Sequence, residues 1–171
     1  MLHVCSLSKL TDTVNKTGAK SLVTLINAEM EVPTPAGIDP GKHLFLAFND
    51  IVDPVQGLIP ASERHVEDLL AFVNSWDRQA PLVIHCWAGI SRSTAGAYVA
   101  ACTLNPTANE YTLAALLRER SPSATPNARI VAMADKLLGR EGRMIDAIRG
   151  IGRGANAFEG APFLMPIDIQ E

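Results

Sequence analysis

Aromatic side chains are scarce in this 171-residue chain, with two Trp, two Tyr and five Phe. Cysteine is scarcer still: the three present have neither paired spacing nor a CxxC, which excludes a disulfide scaffold and points to reduced thiols in a reducing compartment. The longest uncharged run, residues 93–109, is interrupted at Asn105-Pro106-Thr107, well short of the ~20 apolar residues of a membrane span. It reads as a buried helix, and no membrane partner is expected. Met1 to Leu10 lacks the basic stretch and long apolar core of a secretory signal, so the expected location is the cytoplasm. Asn15-Lys16-Thr17 matches a glycosylation acceptor but means nothing without secretion. Internal repeats and biased tracts are absent too. A net charge of -3 argues against nucleic acid as a partner.

What is present is the composition of an ordinary globular chain, 47% hydrophobic and 19% charged. The expected organisation is one domain over 1–171, a size that buries roughly 70% of its unfolded surface. Short apolar runs at Leu22–Ile26, Leu44–Phe48 and Leu82–Ile84 read as strands buried on both faces, the first two followed by Asn or Asp. Between the second and third, Val66, Leu69, Leu70, Val73 and Trp76 mark one face of an amphipathic helix. An earlier helix is expected from a Ser8 cap through Asn15 to Gly18. After the third strand the pattern is helical: Ser93–Leu104, small and apolar all round, then Glu110–Arg120. A further helix is expected from a Thr125 cap with Pro126 at its first position to Gly139, and a short one at Arg143–Ile151. The alternation predicts an α/β fold with a central, mainly parallel sheet of four to five strands and helices on both faces. A tail from about Ala155 is expected to be extended. Residues 118–153 carry eight Arg or Lys against four Asp or Glu, which reads as a solvated helical face, with a patch for an anionic substrate as the alternative.

The segment with chemical content is His85-Cys86-Trp87-Ala88-Gly89-Ile90-Ser91-Arg92-Ser93-Thr94, placed between a buried strand and a helix expected to start near Ser91. Successive amides turned into such a loop, with a helix N-terminus behind them, make a concave site for an anion, so Trp87, Ala88, Gly89, Ile90, Ser91 and Arg92 are candidates to surround a phosphate. Gly89 permits the turn. Arg92, six residues after Cys86, has the planar fork that grips two phosphate oxygens. Helix N-termini and nearby Arg bring reactive cysteines to roughly 3.5–7.5, which makes Cys86 a candidate thiolate nucleophile. The Ser93 hydroxyl is placed to donate to the sulfur as it leaves a covalent intermediate, with Thr94 the weaker candidate. His85 is expected to hold the loop through its backbone rather than to carry a proton.

His-Cys-x-x-Gly-x-x-Arg-Ser over residues 85–93 resembles the signature of the cysteine-based protein tyrosine phosphatase superfamily, and Ala88 to Ser93 resembles its dual-specificity branch. Phe48-Asn49-Asp50-Ile51 resembles that family's acid loop, and Ser121-Pro122 to Asn127 a stretch before its last core helix, so that the likeness spans roughly 20–138. The resemblance implies a phosphotyrosine protein phosphatase II-like fold. It also implies two-step phosphomonoester hydrolysis without metal or other cofactor, with Asn127 in a supporting role. It further implies an aspartic acid on a separate loop to protonate the leaving oxygen and then activate water. Asp50, directly after the second strand, is favoured over Asp53, which precedes Pro54; each also reads as turn chemistry.

The expected substrate is a phosphorylated protein, phosphotyrosine first, or a small phosphomonoester. Uncharged residues at 87–91 argue against phosphoinositides, whose phosphatases tend to carry bases there. The competing readings are a catalytically silent phosphate-binding module and sulfur or arsenate chemistry. His43 and His65 lack metal-ligand spacing. Cys5 and Cys102 read as packing residues, a protective disulfide with Cys86 being the alternative for either. Gly150-Ile151-Gly152-Arg153-Gly154 has no preceding strand and no Lys-Ser/Thr pair, and reads as a flexible turn rather than a nucleotide loop.

Overall fold

A computed structural model describes residues 1–169. Five strands, β1 (Leu2–Ser6), β2 (Ser21–Ile26), β3 (His43–Ala47), β4 (Leu82–Cys86) and β5 (Phe163–Met165), form one sheet in the order β3-β2-β4-β1-β5. The first four are mutually parallel and β5 runs antiparallel to β1, so the mainly parallel α/β architecture expected from the alternation is the one observed. Six helices accompany it: α1 (Leu10–Thr17), α2 (Glu63–Ser75), α3 (Arg92–Leu104), α4 (Glu110–Arg120), α5 (Ala128–Leu137) and α6 (Arg143–Ile151).

Strand alternation divides the core in two. Leu2, Val4, Val23, Leu25, Leu82, Ile84 and Cys86 project into the larger cluster, which helices α2 to α6 cover. Cys5, Leu22 and Val83 project the other way, onto Leu10 and Val14 of α1 and Ile38 of the following loop. α3, buried from Arg92 to Cys102, lies in the centre of the larger layer, as its lack of a polar face requires. Among the described residues no helix is long and apolar enough to cross a membrane.

Two strands and two caps differ from the sequence reading. β1 was not anticipated, because His3 and Ser6 interrupt its apolar character; it lies between β4 and β5, and its Ser6 is buried beside Cys86. The tail is not uniformly extended, since Phe163–Met165 pairs with β1. Ser8 caps nothing: a 3-10 turn at Leu7–Lys9 precedes α1, and the Ser8 hydroxyl donates to Glu159 instead. α5 is capped by Asn127 rather than Thr125, the Asn127 carboxamide oxygen accepting from the Arg129 and Ile130 amides at 3.1 and 3.2 Å. The Thr125 hydroxyl is occupied with the Gly154 amide at 3.1 Å. Gly18 closes α1 in the left-handed conformation, as expected.

The basic stretch is only partly a solvated face. Arg140 is buried against Glu110 at 2.8 Å and donates to the Cys102 carbonyl at 2.6 Å, and Arg143 reaches the same carboxylate at 3.0 Å. This pair ties the start of α4 to the end of α3 and to the α5–α6 junction. Removing one partner strands a charge in the interior, at a cost of about 3–5 kcal/mol. Glu110→Ala is therefore expected to lose about 3 kcal/mol in urea unfolding, with part of the loss recovered in Glu110→Ala/Arg140→Met.

Candidate active site

The C-terminal ends of β2, β3 and β4 meet at one edge of the sheet, where parallel α/β folds place their ligands. Cys86 is the last residue of β4, and the chain turns through 87–91 into α3. Gly89 makes this turn possible twice over. Its φ is +71°, and a Cβ there would lie 2.9 Å from the Ser6 amide nitrogen of neighbouring β1.

The loop carbonyls are turned outward and used by the surroundings. Trp87 O accepts from the Leu7 amide (3.1 Å), Ala88 O from Gly160 (2.8 Å), Ile90 O from Thr125 (2.9 Å) and Ser91 O from Ala95 (3.0 Å) and Asn127 (3.3 Å). Among the described residues, no main-chain bond consumes the amides of Ala88, Ile90 or Ser91. The Gly89 amide points at the Cys86 sulfur, 3.3 Å away, and the Ser93 hydroxyl lies 3.1 Å from the same atom. A loop whose carbonyls are satisfied from outside while its amides lack main-chain partners is the arrangement that favours an anion. Thr94 faces away, donating to the Ile90 and Ser91 carbonyls.

Arg92 opens α3 and is 4% exposed. Its Nη1 donates to Asn27 Oδ1 and to the Phe48 carbonyl, both at 2.7 Å, so the ends of β2 and β3 clamp one edge of the guanidinium. Its Nε is buried and has no hydrogen-bond partner. A buried unsatisfied donor of this kind costs stability unless something binds there.

Asp50 follows β3 and lines the same cavity as Cys86 and Arg92, a space of about 720 Å³ also bordered by Asn27, Met30, Ile51, Leu58, Trp87 and Phe158. Asp50 Oδ1 accepts from the Ser91 hydroxyl and from Asn127 Nδ2, each at 2.8 Å, and Oδ2 stands 4.0 Å from Arg92 Nε. Asp53 is elsewhere: it borders a groove of about 870 Å³ beside α5 and α6 that contains neither Cys86 nor Arg92. Asn127 thus caps α5 with its oxygen and fixes Asp50 with its nitrogen.

His85 points to the opposite face of β4 and is fully buried. Its Nε2 shares the Thr24 hydroxyl (2.8 Å) with His43, and Nδ1 lies 3.4 Å from the carbonyl of Cys86 at the end of β4. Burial holds this imidazole down at about 4. Cys5 and Cys102 are free and buried, and burial pushes both thiols up to about 12, which suits packing residues. His43 and His65 join no group: the described residues hold no cluster of three or more His, Cys, Asp or Glu suited to a metal ion.

Sequence reasoning missed Asn27 and the segment around Phe158. Asn27 was signalled only by its place after a strand. Phe158 carries no local pattern; it reaches the loop because Gly160 bonds to Ala88 and β5 pairs with β1, and its ring meets Trp87 edge-on at 5.5 Å between centroids.

Comparison with known proteins agrees with this geometry. The protein-tyrosine phosphatase family model matches residues 55–122, a stretch that includes the 85–94 loop but stops short of both Asp50 and Asn127. The fold is shared with human DUSP28 (TM-score 0.61, 16% identity, 87% of this chain and 94% of that one). It is shared equally with a mouse putative dual specificity phosphatase crystallised with zinc tungstate (0.62, 18%, 86% of each). A third similar structure is the human tyrosine phosphatase-like serine/threonine/tyrosine-interacting protein (0.62, 19%, 82% and 92%). No curated protein sequence is significantly similar to the chain. The chain thus shares its fold with structures of the dual-specificity group, and over residues 55–122 it matches the protein-tyrosine phosphatase family model.

The low proton affinity of His85 has a stability consequence. An imidazole kept neutral in the folded chain takes up a proton near 6.5 once unfolded, so its contribution is complete above that pH and declines as pH falls toward 4. Urea unfolding of the wild type is expected to weaken over that window, by at most about 3 kcal/mol. His85→Gln should flatten the profile.

Proposed function

We propose that this chain is a metal-independent phosphomonoester hydrolase acting on phosphorylated protein, with phosphotyrosine as its principal substrate. The observation that carries the reading is the buried, unpartnered Nε of Arg92 in one cavity with the Cys86 sulfur and the Asp50 carboxylate. A phosphoryl group seated there would take up Arg92 Nε and the free loop amides, presenting phosphorus to the sulfur.

In the first step the Cys86 thiolate attacks phosphorus; the S–P bond forms as the ester P–O bond breaks, and Asp50 gives its proton to the departing oxygen. In the second, water attacks phosphorus and loses a proton to Asp50. The S–P bond breaks, its electron pair returns to sulfur, and the Ser93 hydroxyl at 3.1 Å stabilises the thiolate released. Inorganic phosphate leaves. Asn127 keeps Asp50 at the cavity, and His85 holds the Cys86 end of β4 from behind.

The tyrosine preference rests on the walls: Met30, Ile51, Leu58, Trp87 and Phe158 offer apolar surface to an aromatic ring between the protein surface and the cradle. Uncharged side chains at 87–91 give no purchase for the additional phosphates of an inositol lipid. Reduced, unpaired thiols suit the cytoplasm as the compartment of action.

Hydrolysis of para-nitrophenyl phosphate in the presence of a chelator tests the reading. Cys86→Ser and Arg92→Ala are expected to lose roughly 10^3-fold or more in kcat/KM. Asp50→Asn should lose roughly 10^2- to 10^4-fold in kcat, with Asp53→Asn near wild type. Activity that survives in Cys86→Ser, or that needs a divalent metal, would refute the covalent mechanism. Wild-type binding of phosphate without turnover would make the chain a phosphate-binding module.

A further inference from the structure

Beside the Cys86 cavity lies a second one of about 530 Å³. The two share Ile90, Ser91, Ala157 and Phe158, so one extended substrate can enter both. Apart from Ala155, the rest of the second cavity's lining is polar and donor-rich: Ser123, Thr125, Arg153 and Asn156, with no carboxylate. Arg153 makes no ion pair and no side-chain hydrogen bond among the described residues, although the chain as a whole is acidic.

The position of Arg153 is built rather than incidental. Arg118 fastens the end of α6, donating to the Pro122 carbonyl at 2.6 Å, the Ile151 carbonyl at 3.3 Å and the Gly152 carbonyl at 2.7 Å. Immediately after Arg153, the Gly154 amide bonds to Thr125 Oγ1 and the Ala155 amide to the Pro122 carbonyl at 2.9 Å. Gly154 lies so close to the 123–124 backbone that a Cβ there would stand 2.4 Å from the Ser123 carbonyl carbon. The stretch at 150–154, expected as a flexible turn, instead ends α6 at Ile151 and continues as a pinned turn that presents one unpaired cation beside the phosphate loop.

We propose that Arg153, with the hydroxyls of Ser123 and Thr125 and the Asn156 carboxamide, forms a subsite for an anionic group on the substrate close to the phosphorylated residue. That group is an Asp or Glu side chain or a second phosphate of the same peptide. The proposal rests on the phosphatase reading and adds to it: the cavity at Cys86 takes the phosphoryl group, and the neighbouring cavity selects acidic phosphopeptides. Phe158, 84% exposed, forms the ridge between the two, so a peptide chain crossing it is held by apolar contact as well as by charge. A preorganised arginine matches carboxylate and phosphate through the same planar donors, which is why both chemistries belong to one site.

The test compares phosphotyrosine peptides that differ only in having Asp, Gln or Lys at each of the two positions on either side, together with a doubly phosphorylated peptide, in the wild type, Arg153→Ala and Arg153→Glu. The wild type is expected to favour one Asp position about three- to tenfold in kcat/KM, through KM, with the preference shrinking at high salt. The doubly phosphorylated peptide should be favoured more than the Asp peptide if the second anion is a phosphate, and no more than it if the site reads carboxylates. Arg153→Ala should erase the preference, and Arg153→Glu should turn it toward a Lys-substituted peptide. Turnover of para-nitrophenyl phosphate, which does not extend into the second cavity, reports separately on the catalytic site. If the wild type does not hydrolyse it, the phosphatase reading fails while anisotropy binding of the same peptides still tests the subsite. An unchanged acidic preference in both variants, or a loss on all substrates alike, would overturn the proposal.

Discussion

The constraint on which the rest depends is the clamp on one edge of a guanidinium. Arg92 spends Nη1 on Asn27 and on the Phe48 carbonyl, two groups that exist at this point only because β2 and β3 end side by side. Fixing that edge leaves Nε buried and, among the described residues, without a hydrogen-bond partner, the Asp50 carboxylate standing 4.0 Å away. A charged donor in such a position is costly to the empty protein, and an oxyanion bound there would offset the cost. Under the proposed function, stability is exchanged for a site shaped before its ligand binds, the arrangement by which electrostatic preorganisation lowers a barrier.

The same logic runs outward through the main chain. The 87–91 loop can leave the Ala88, Ile90 and Ser91 amides without main-chain partners because Leu7, Gly160, Thr125, Ala95 and Asn127 satisfy its carbonyls. Those partners come from the junction after β1, the segment before β5, the approach to α5 and α3 itself. The fold therefore works as a frame for one loop, and Asn127 couples that frame to the proposed acid by capping α5 and holding Asp50 with the same side chain.

Much of this was legible in the sequence because the informative residues are contiguous. Strand β4, the loop and α3 form one uninterrupted pattern, and a buried strand, a glycine and a helix lacking a polar face each have a local physical signature. The bounds of α4 and α6 also coincide with the expected ones. What stayed hidden depends on long-range closure. β1 is short and carries His3 and Ser6, so its membership of the sheet follows from pairing with β4 and not from its composition. Asn27 lies 65 residues from Arg92 and Phe158 reaches the loop only through the docking of the tail, so neither leaves a local trace. The cap of α5 was placed two residues early because Thr-Pro is a strong start signal, whereas the Thr125 hydroxyl is committed to Gly154 across the fold.

The central claim is that the Cys86 sulfur forms a bond to phosphorus. Ser93→Ala weakens the hydroxyl support for the departing sulfur and should let the covalent species accumulate. Rapid acid quench of that variant during turnover of an aryl phosphate, followed by peptide mass spectrometry, reads the bond directly. The account predicts phosphate on the peptide containing Cys86; steady turnover with Cys86 unmodified, or with the label on any other side chain, would contradict it.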